Sequence, residues 1–86
     1  MGKFENAIKE FQIAVELNPE NYVAYYNYGL ALRDSGRLDE AVDKLRLSIY
    51  IKPDELKSHF DLGVIYYTKG LLDDAVREYK TALALN

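Results

Sequence analysis

Apolar residues recur along this chain at the spacing of a helix face. Phe4, Ala7, Ile8, Phe11, Ala14 and Val15 follow the i, i+3, i+4, i+7 rhythm, and Leu38, Ala41, Val42, Leu45, Ser48 and Ile49 repeat it. Each stretch predicts an amphipathic helix. The stretches from Tyr22 to Asp34 and from Leu56 to Lys69 also carry helical patterns. Each runs toward a glycine, Gly36 or Gly70, suited to the left-handed conformation that closes a helix. Pro19 and Pro53 fall just past helix ends, where a missing N–H and a fixed φ stop propagation. The acidic pairs Asp39/Glu40 and Asp73/Asp74 sit at helix starts, where the dipole favours negative charge. The pattern predicts five helices, over about residues 3–17, 22–35, 38–51, 56–69 and 72–85.

The pattern also repeats. Ala7, Ala41 and Ala75 are spaced 41−7=34 and 75−41=34, and the same step carries Gly2 to Gly36 to Gly70 and Phe4 to Leu38 to Leu72. Val15, Ile49 and Leu83 form another column, as do Leu17, Ile51 and Leu85, and the pairs Pro19/Pro53 and Gly29/Gly63 stay in step. So many columns in one register identify an internal repeat.

Composition narrows the possible functions. Eighty-six residues allow one modest core and exclude a multi-domain enzyme. With 49% hydrophobic and 29% charged residues the chain has ordinary globular composition. Eleven Lys+Arg against fourteen Asp+Glu give a net charge of -3 with no basic run, which argues against nucleic acid and anionic membranes as partners. The absence of cysteine removes disulfides, thiolate nucleophiles and Cys-based metal sites together. No apolar run approaches the roughly 18 residues a membrane span needs. Lys3, Glu5, Lys9 and Glu10 interrupt the start where a signal peptide would be apolar, so the chain reads as soluble, unprocessed and cytoplasmic. Eight of the eleven aromatics are tyrosine, an amphipathic side chain that favours contact surfaces.

The residues in register resemble the tetratricopeptide repeat, whose unit is a helix-turn-helix of 34 residues. Residues 22–55 carry Tyr28-Gly29, Leu32, Gly36, Leu38, Ala41, Leu45, Ile49 and Pro53 at the family's framework positions. Residues 56–86 carry Leu62-Gly63, Tyr66, Gly70, Leu72, Ala75, Tyr79, Ala82 and Leu83. Tyr25 and His59 stand where the family most often has Trp, and Ser48 replaces a small Ala. The resemblance implies an all-α fold, a right-handed α-α superhelix or solenoid of antiparallel helix pairs. It divides the chain into the second helix of a partial repeat over 1–21 and full repeats over 22–55 and 56–86. Gly29 with Ala41, and Gly63 with Ala75, should meet where paired helices cross most closely.

In this family the first helices of the pairs line a concave groove that binds peptides. The groove positions here are Tyr26, Asn27, Leu30 and Arg33, then Lys57, Phe60, Asp61, Val64 and Tyr67, with Val23, Asp34 and Thr68 beside them. Apolar anchors ringed by both charge signs suit an extended or helical peptide. Burial between repeats is the competing role for several of these side chains. Co-chaperone members hold a terminal carboxylate with Lys, Asn and Arg. Asn27 and Lys57 fall at two such positions, whereas Asp61 stands where an Arg is required and would repel the carboxylate. His59, the sole imidazole, lacks the partners of a metal site or catalytic triad and reads as a packing residue with satisfied nitrogens.

The chain starts with half a repeat, so Phe4, Ile8 and Phe11 are expected to lie open where a partner helix is missing. Tyr79, Leu83 and Leu85 are expected to lie open at the other end. The half repeat reads as an excision from a longer array or a chain built to pair with itself. Two functions follow. One is a module that binds a peptide segment of a partner protein, as adaptor, scaffold or co-chaperone part. The other is self-assembly into a homo-oligomer through the repeat ends. No enzyme activity, cofactor or metal is expected.

Overall fold

The structure, a computed structural model, describes residues 3–86 as five α-helices. They are α1 (Lys3–Leu17), α2 (Tyr22–Asp34), α3 (Leu38–Ile51), α4 (Leu56–Thr68) and α5 (Leu72–Leu85). The expected bounds hold to within one residue, the difference being that α2 and α4 stop one residue earlier. Gly2, the third member of the glycine column, lies outside the described residues.

Local chemistry sets the helix ends. Gly36 and Gly70 have φ of 88° and 81°, conformations that strain any residue with a Cβ. Beside them Arg37 N–H donates to the Leu32 carbonyl at 2.9 Å and Leu71 N–H to the Tyr66 carbonyl at 2.8 Å. These six-residue closures satisfy carbonyls that the last helical turn leaves free. At the start of α2, Asn21 accepts a 3.1 Å bond from Ala24 N–H through its side chain, a cap the sequence pattern did not single out.

Packing follows chain order. The most extensive contacts join α2 to α3 and α4 to α5, and α1/α2 and α3/α4 form the next interfaces. The result is a helical repeat solenoid measuring 33 × 26 × 16 Å. Inside each pair glycine allows close approach. A Cβ on Gly29 would lie 2.8 Å from Leu45 Cγ and 3.3 Å from the Ala41 carbonyl oxygen. On Gly63 it would lie 2.7 Å from the Tyr79 ring and 3.4 Å from the Ala75 carbonyl oxygen. Leu32, Leu45, Leu62 and Ile65 form the fully buried centre. Two serines are also fully buried between repeats: Ser48 Oγ donates to the Tyr22 carbonyl at 3.0 Å and sits 3.1 Å from Ser58 Oγ.

The expectation for the first helix needs correction. Ile8 is 6% exposed and belongs to the core, Phe11 is half-buried against it, and Phe4 sits at the margin of exposure. Register explains this. Residues 4 and 8 occupy the columns of Leu38 and Val42, the face on which the following helix stacks, and α2 covers that face of α1. Phe11 occupies the column of Leu45, which meets Gly29 of the preceding helix, so a preceding helix would cover Ala7, Phe11 and Ala14, in the columns of the buried Ala41, Leu45 and Ser48. All three are half-buried.

Candidate peptide groove and open end

Helices α2 and α4 present the expected groove residues, and the structure sorts them into three groups. Tyr26, Arg33 and Asp61 form a polar cluster across the repeat boundary. The Tyr26 hydroxyl donates to Asp61 Oδ2 at 2.5 Å, and Arg33 Nη1 donates to Asp61 Oδ1 at 3.5 Å. Arg33 also pairs with Asp34 at 3.1 Å. Burial first, then the bond to Asp61 and its negative charge, hold the Tyr26 phenol well above the usual tyrosine range. The carboxylate that reads from sequence as a repulsive element is therefore committed to neighbours inside the protein.

Asn27 and Lys57 lie with Tyr26 on a cleft of about 270 Å³, completed by Tyr22, Val23 and Glu55. Its walls are aromatic and aliphatic, with an amide and both charge signs at the rim. Among the described residues Lys57 has no ion-pair partner, so its ammonium is available. Leu30 and Val64 are half-buried on the same helices, and Tyr67 is 64% exposed.

Phe60 belongs elsewhere. It is 50% exposed, its ring centroid lies 5.8 Å from that of Tyr79, and it helps line a larger apolar cleft of about 420 Å³ at the end of the array. Leu56, Tyr79, Ala82, Leu83 and Asn86 complete that cleft. Phe60 occupies the column of Tyr26, since 60−26=34. Tyr26 faces the following helix α4, and among the described residues no helix lies in the corresponding place beside Phe60. Leu83 at 74% and Leu85 at 38% are exposed here, while Tyr79 is half-buried.

His59 is 8% exposed, with Nδ1 2.8 Å from Glu78 Oε1 and Nε2 2.8 Å from the Pro53 carbonyl oxygen. Both ring nitrogens are engaged, as a structural histidine requires. Among the described residues no cluster of His, Cys, Asp or Glu could hold a metal ion, and no helix is long and apolar enough to cross a membrane.

Family comparison agrees with the architecture. Models of the tetratricopeptide repeat match residues 1–55 and 56–86, and the chain belongs to that family. Among solved structures, a crystal structure of MamA superposes with a TM-score of 0.95 at 34% identity, over 98% of this chain and 49% of that one. A second MamA crystal structure gives 0.92 at 34% identity, over 98% and 46%. The second tetratricopeptide domain of Spaghetti (RPAP3), bound to the HSP90 peptide SRMEEVD, gives 0.93 at 22% identity, over 99% and 79%. This chain spans about half the length of the MamA chains it matches. No curated protein matches it.

Proposed function

We propose that this chain is a protein-interaction module whose groove binds an extended or helical peptide segment of a partner protein. The observation that carries the reading is the cleft of about 270 Å³ between the starts of α2 and α4. There Tyr22, Val23 and Tyr26 offer rigid apolar contact, and Asn27 and Lys57 offer polar groups to fix the register of a bound chain. The RPAP3 domain supports it, because the same fold carries a bound peptide there. The groove of this chain differs from a carboxylate clamp, since Asp61 occupies the position where the clamp's Arg would stand. Binding through side-chain anchors and main-chain contacts fits better than capture of a chain terminus. No catalytic step enters this reading.

The test is selection from a library of short peptides, followed by fluorescence anisotropy on the enriched sequences. Leu30→Glu with Val64→Glu should weaken binding by at least about tenfold, and Lys57→Glu should weaken it less. Helicity and mass should stay unchanged. Failure of any peptide to enrich, or binding indifferent to all three substitutions, sinks the reading.

Self-assembly through the repeat ends is the second reading, and one face favours it. One apolar face of α1 is covered by α2, whereas α5 leaves Leu72, Val76 and Leu83 at 56%, 49% and 74% exposure among the described residues.

A further inference from the structure

His59 is buried and takes no part in lining the groove. Both of its ring nitrogens face oxygens: Nδ1 lies 2.8 Å from Glu78 Oε1, and Nε2 lies 2.8 Å from the Pro53 carbonyl oxygen. A carbonyl oxygen only accepts hydrogen bonds, and so does an ionised carboxylate. A neutral imidazole carries one N–H, so it can serve one of these oxygens and must turn a lone pair on the other. Two ring N–H groups serve both. In ordinary surroundings an imidazole binds a proton about two pH units more readily than a carboxylate, so the second proton belongs on the ring and not on Glu78. The two side chains are only 10% and 18% exposed, and little water reaches them to replace a missing donor.

The surrounding charges leave this pair to itself. Glu78 has no other ion-pair partner among the described residues. In the turn between α3 and α4, Lys52 pairs with Asp54, and on α5 Arg77 pairs with Asp74. Arg46 of α3, with Glu78, Asp74 and Arg77 of α5, acts on the neighbouring Tyr66 phenol, which burial chiefly pushes up. Glu55 accepts the His59 main-chain N–H through its carbonyl at 3.4 Å, while its side chain lines the groove cleft. The arrangement is particular to the last repeat. One repeat earlier the columns of His59 and Glu78 hold Tyr25 and Lys44, since 59−25=34 and 78−44=34, and Lys44 lies over the Tyr28 ring.

We propose that His59 is a proton-operated latch, which as the imidazolium ties the turn between α3 and α4 to α5 and on losing a proton releases one of them. Pro53 belongs to the turn at the repeat boundary, Glu78 to α5 and His59 to α4, so the charged ring holds three elements together. That turn also leads into Glu55 on the rim of the groove cleft, so the latch reaches the edge of the groove whatever the groove binds. Above the ordinary histidine range, about 6.5, the folded chain then holds a proton that the unfolded chain has lost. The latch's contribution to stability is complete below that range and declines as pH rises beyond it.

His59 is the only histidine, so nitrogen NMR of the imidazole reads this site alone. At about pH 7.5 the folded chain should show protons on both ring nitrogens, and the chain unfolded in urea chiefly one. Urea unfolding from about pH 5.5 to pH 8 should show an unfolding constant that grows with pH, by at most about tenfold per pH unit, the limit for a single proton. Glu78→Gln offers an amide N–H to Nδ1 while Nε2–H serves Pro53, so a neutral ring satisfies both contacts. That variant should carry one ring N–H at about pH 7.5 and lose the pH dependence over the same range. A single ring N–H in the folded parent chain overturns the proposal, and so does a pH profile that Glu78→Gln leaves unchanged. Should Glu78→Gln fail to fold, the ring protons and pH profile of the parent chain decide by themselves, a single N–H or a flat profile overturning the latch.

Discussion

The hydroxyl of Tyr26 donates a 2.5 Å hydrogen bond to Asp61, tying the first helix of one repeat to the first helix of the next. The two residues are 35 apart, one repeat plus one position, so the bond reports directly on how the repeats are stacked.

Because the folded state holds the Tyr26 proton more tightly than the unfolded chain, stability is complete below the ordinary tyrosine pKa, about 10, and is lost as pH rises beyond it. Tyr28 and Tyr66 act in the same direction, chiefly through burial. Urea unfolding between about pH 8 and pH 11.5 should show a flat region followed by a decline. Tyr26→Phe should cost about 1 kcal/mol at neutral pH and make the decline shallower. An unchanged alkaline profile would mean the phenol is not coupled to folding.

The two close-packed glycines should respond differently to alanine. Leu45 Cγ, 2.8 Å from the site of a Gly29 Cβ, is the branch point of a fully buried side chain and has nowhere to go. The Tyr79 ring opposite Gly63 is half-buried at the open end and can swing. Gly29→Ala should cost about 1–3 kcal/mol, with Gly63→Ala milder because the Tyr79 ring can move aside and helix propensity offsets part of what remains. Denaturant midpoints giving equal losses, or a larger one at Gly63, would refute this ordering.

Ser48 and Ser58 meet in a fully buried contact between repeats. Ser48→Ala alone strands the Ser58 hydroxyl and should cost about 1–2 kcal/mol, while the double change to alanine should cost little more. A double-mutant cycle measures the coupling, and strict additivity would show that the hydroxyls act independently.

His59 stands between two oxygen acceptors. His59→Phe removes the ring-nitrogen contacts to the Pro53 carbonyl and the Glu78 carboxylate and should cost about 1–3 kcal/mol. His59→Gln, which keeps one donor in reach, should cost less. Thermal melts in the reverse order would place the stabilising role in ring packing alone.

The elements of this fold were legible in the sequence because they depend on local signals. Gly36, Gly70, Pro19 and Pro53 end helices by their own backbone chemistry, and the apolar rhythm marks what lies between them. Which neighbour covers a face is a different kind of information. Ile8 lies under α2, and only alignment of its column with Val42 shows that this face looks forward along the array. At the groove, sequence gave Asp61 a charge and a position, and the consequence of both depended on Tyr26 and Arg33 reaching it from another repeat. The 35-residue spacing of Tyr26 and Asp61 was available as a signal. Phe60 was misleading for the same reason: its column faces the groove boundary in one repeat and the open end in the next.

The chain-order packing of the five helices also bears on how the molecule forms. Every principal interface joins helices adjacent in the sequence, so the loops closed during folding are short. Such a chain acquires its structure by zipping, with no search for a distant partner segment, and refolding falls in the microsecond to millisecond range typical of locally connected helical proteins. The same connectivity means that force applied at the two termini strips helices one after another from the ends, so resistance to pulling is spread along the array.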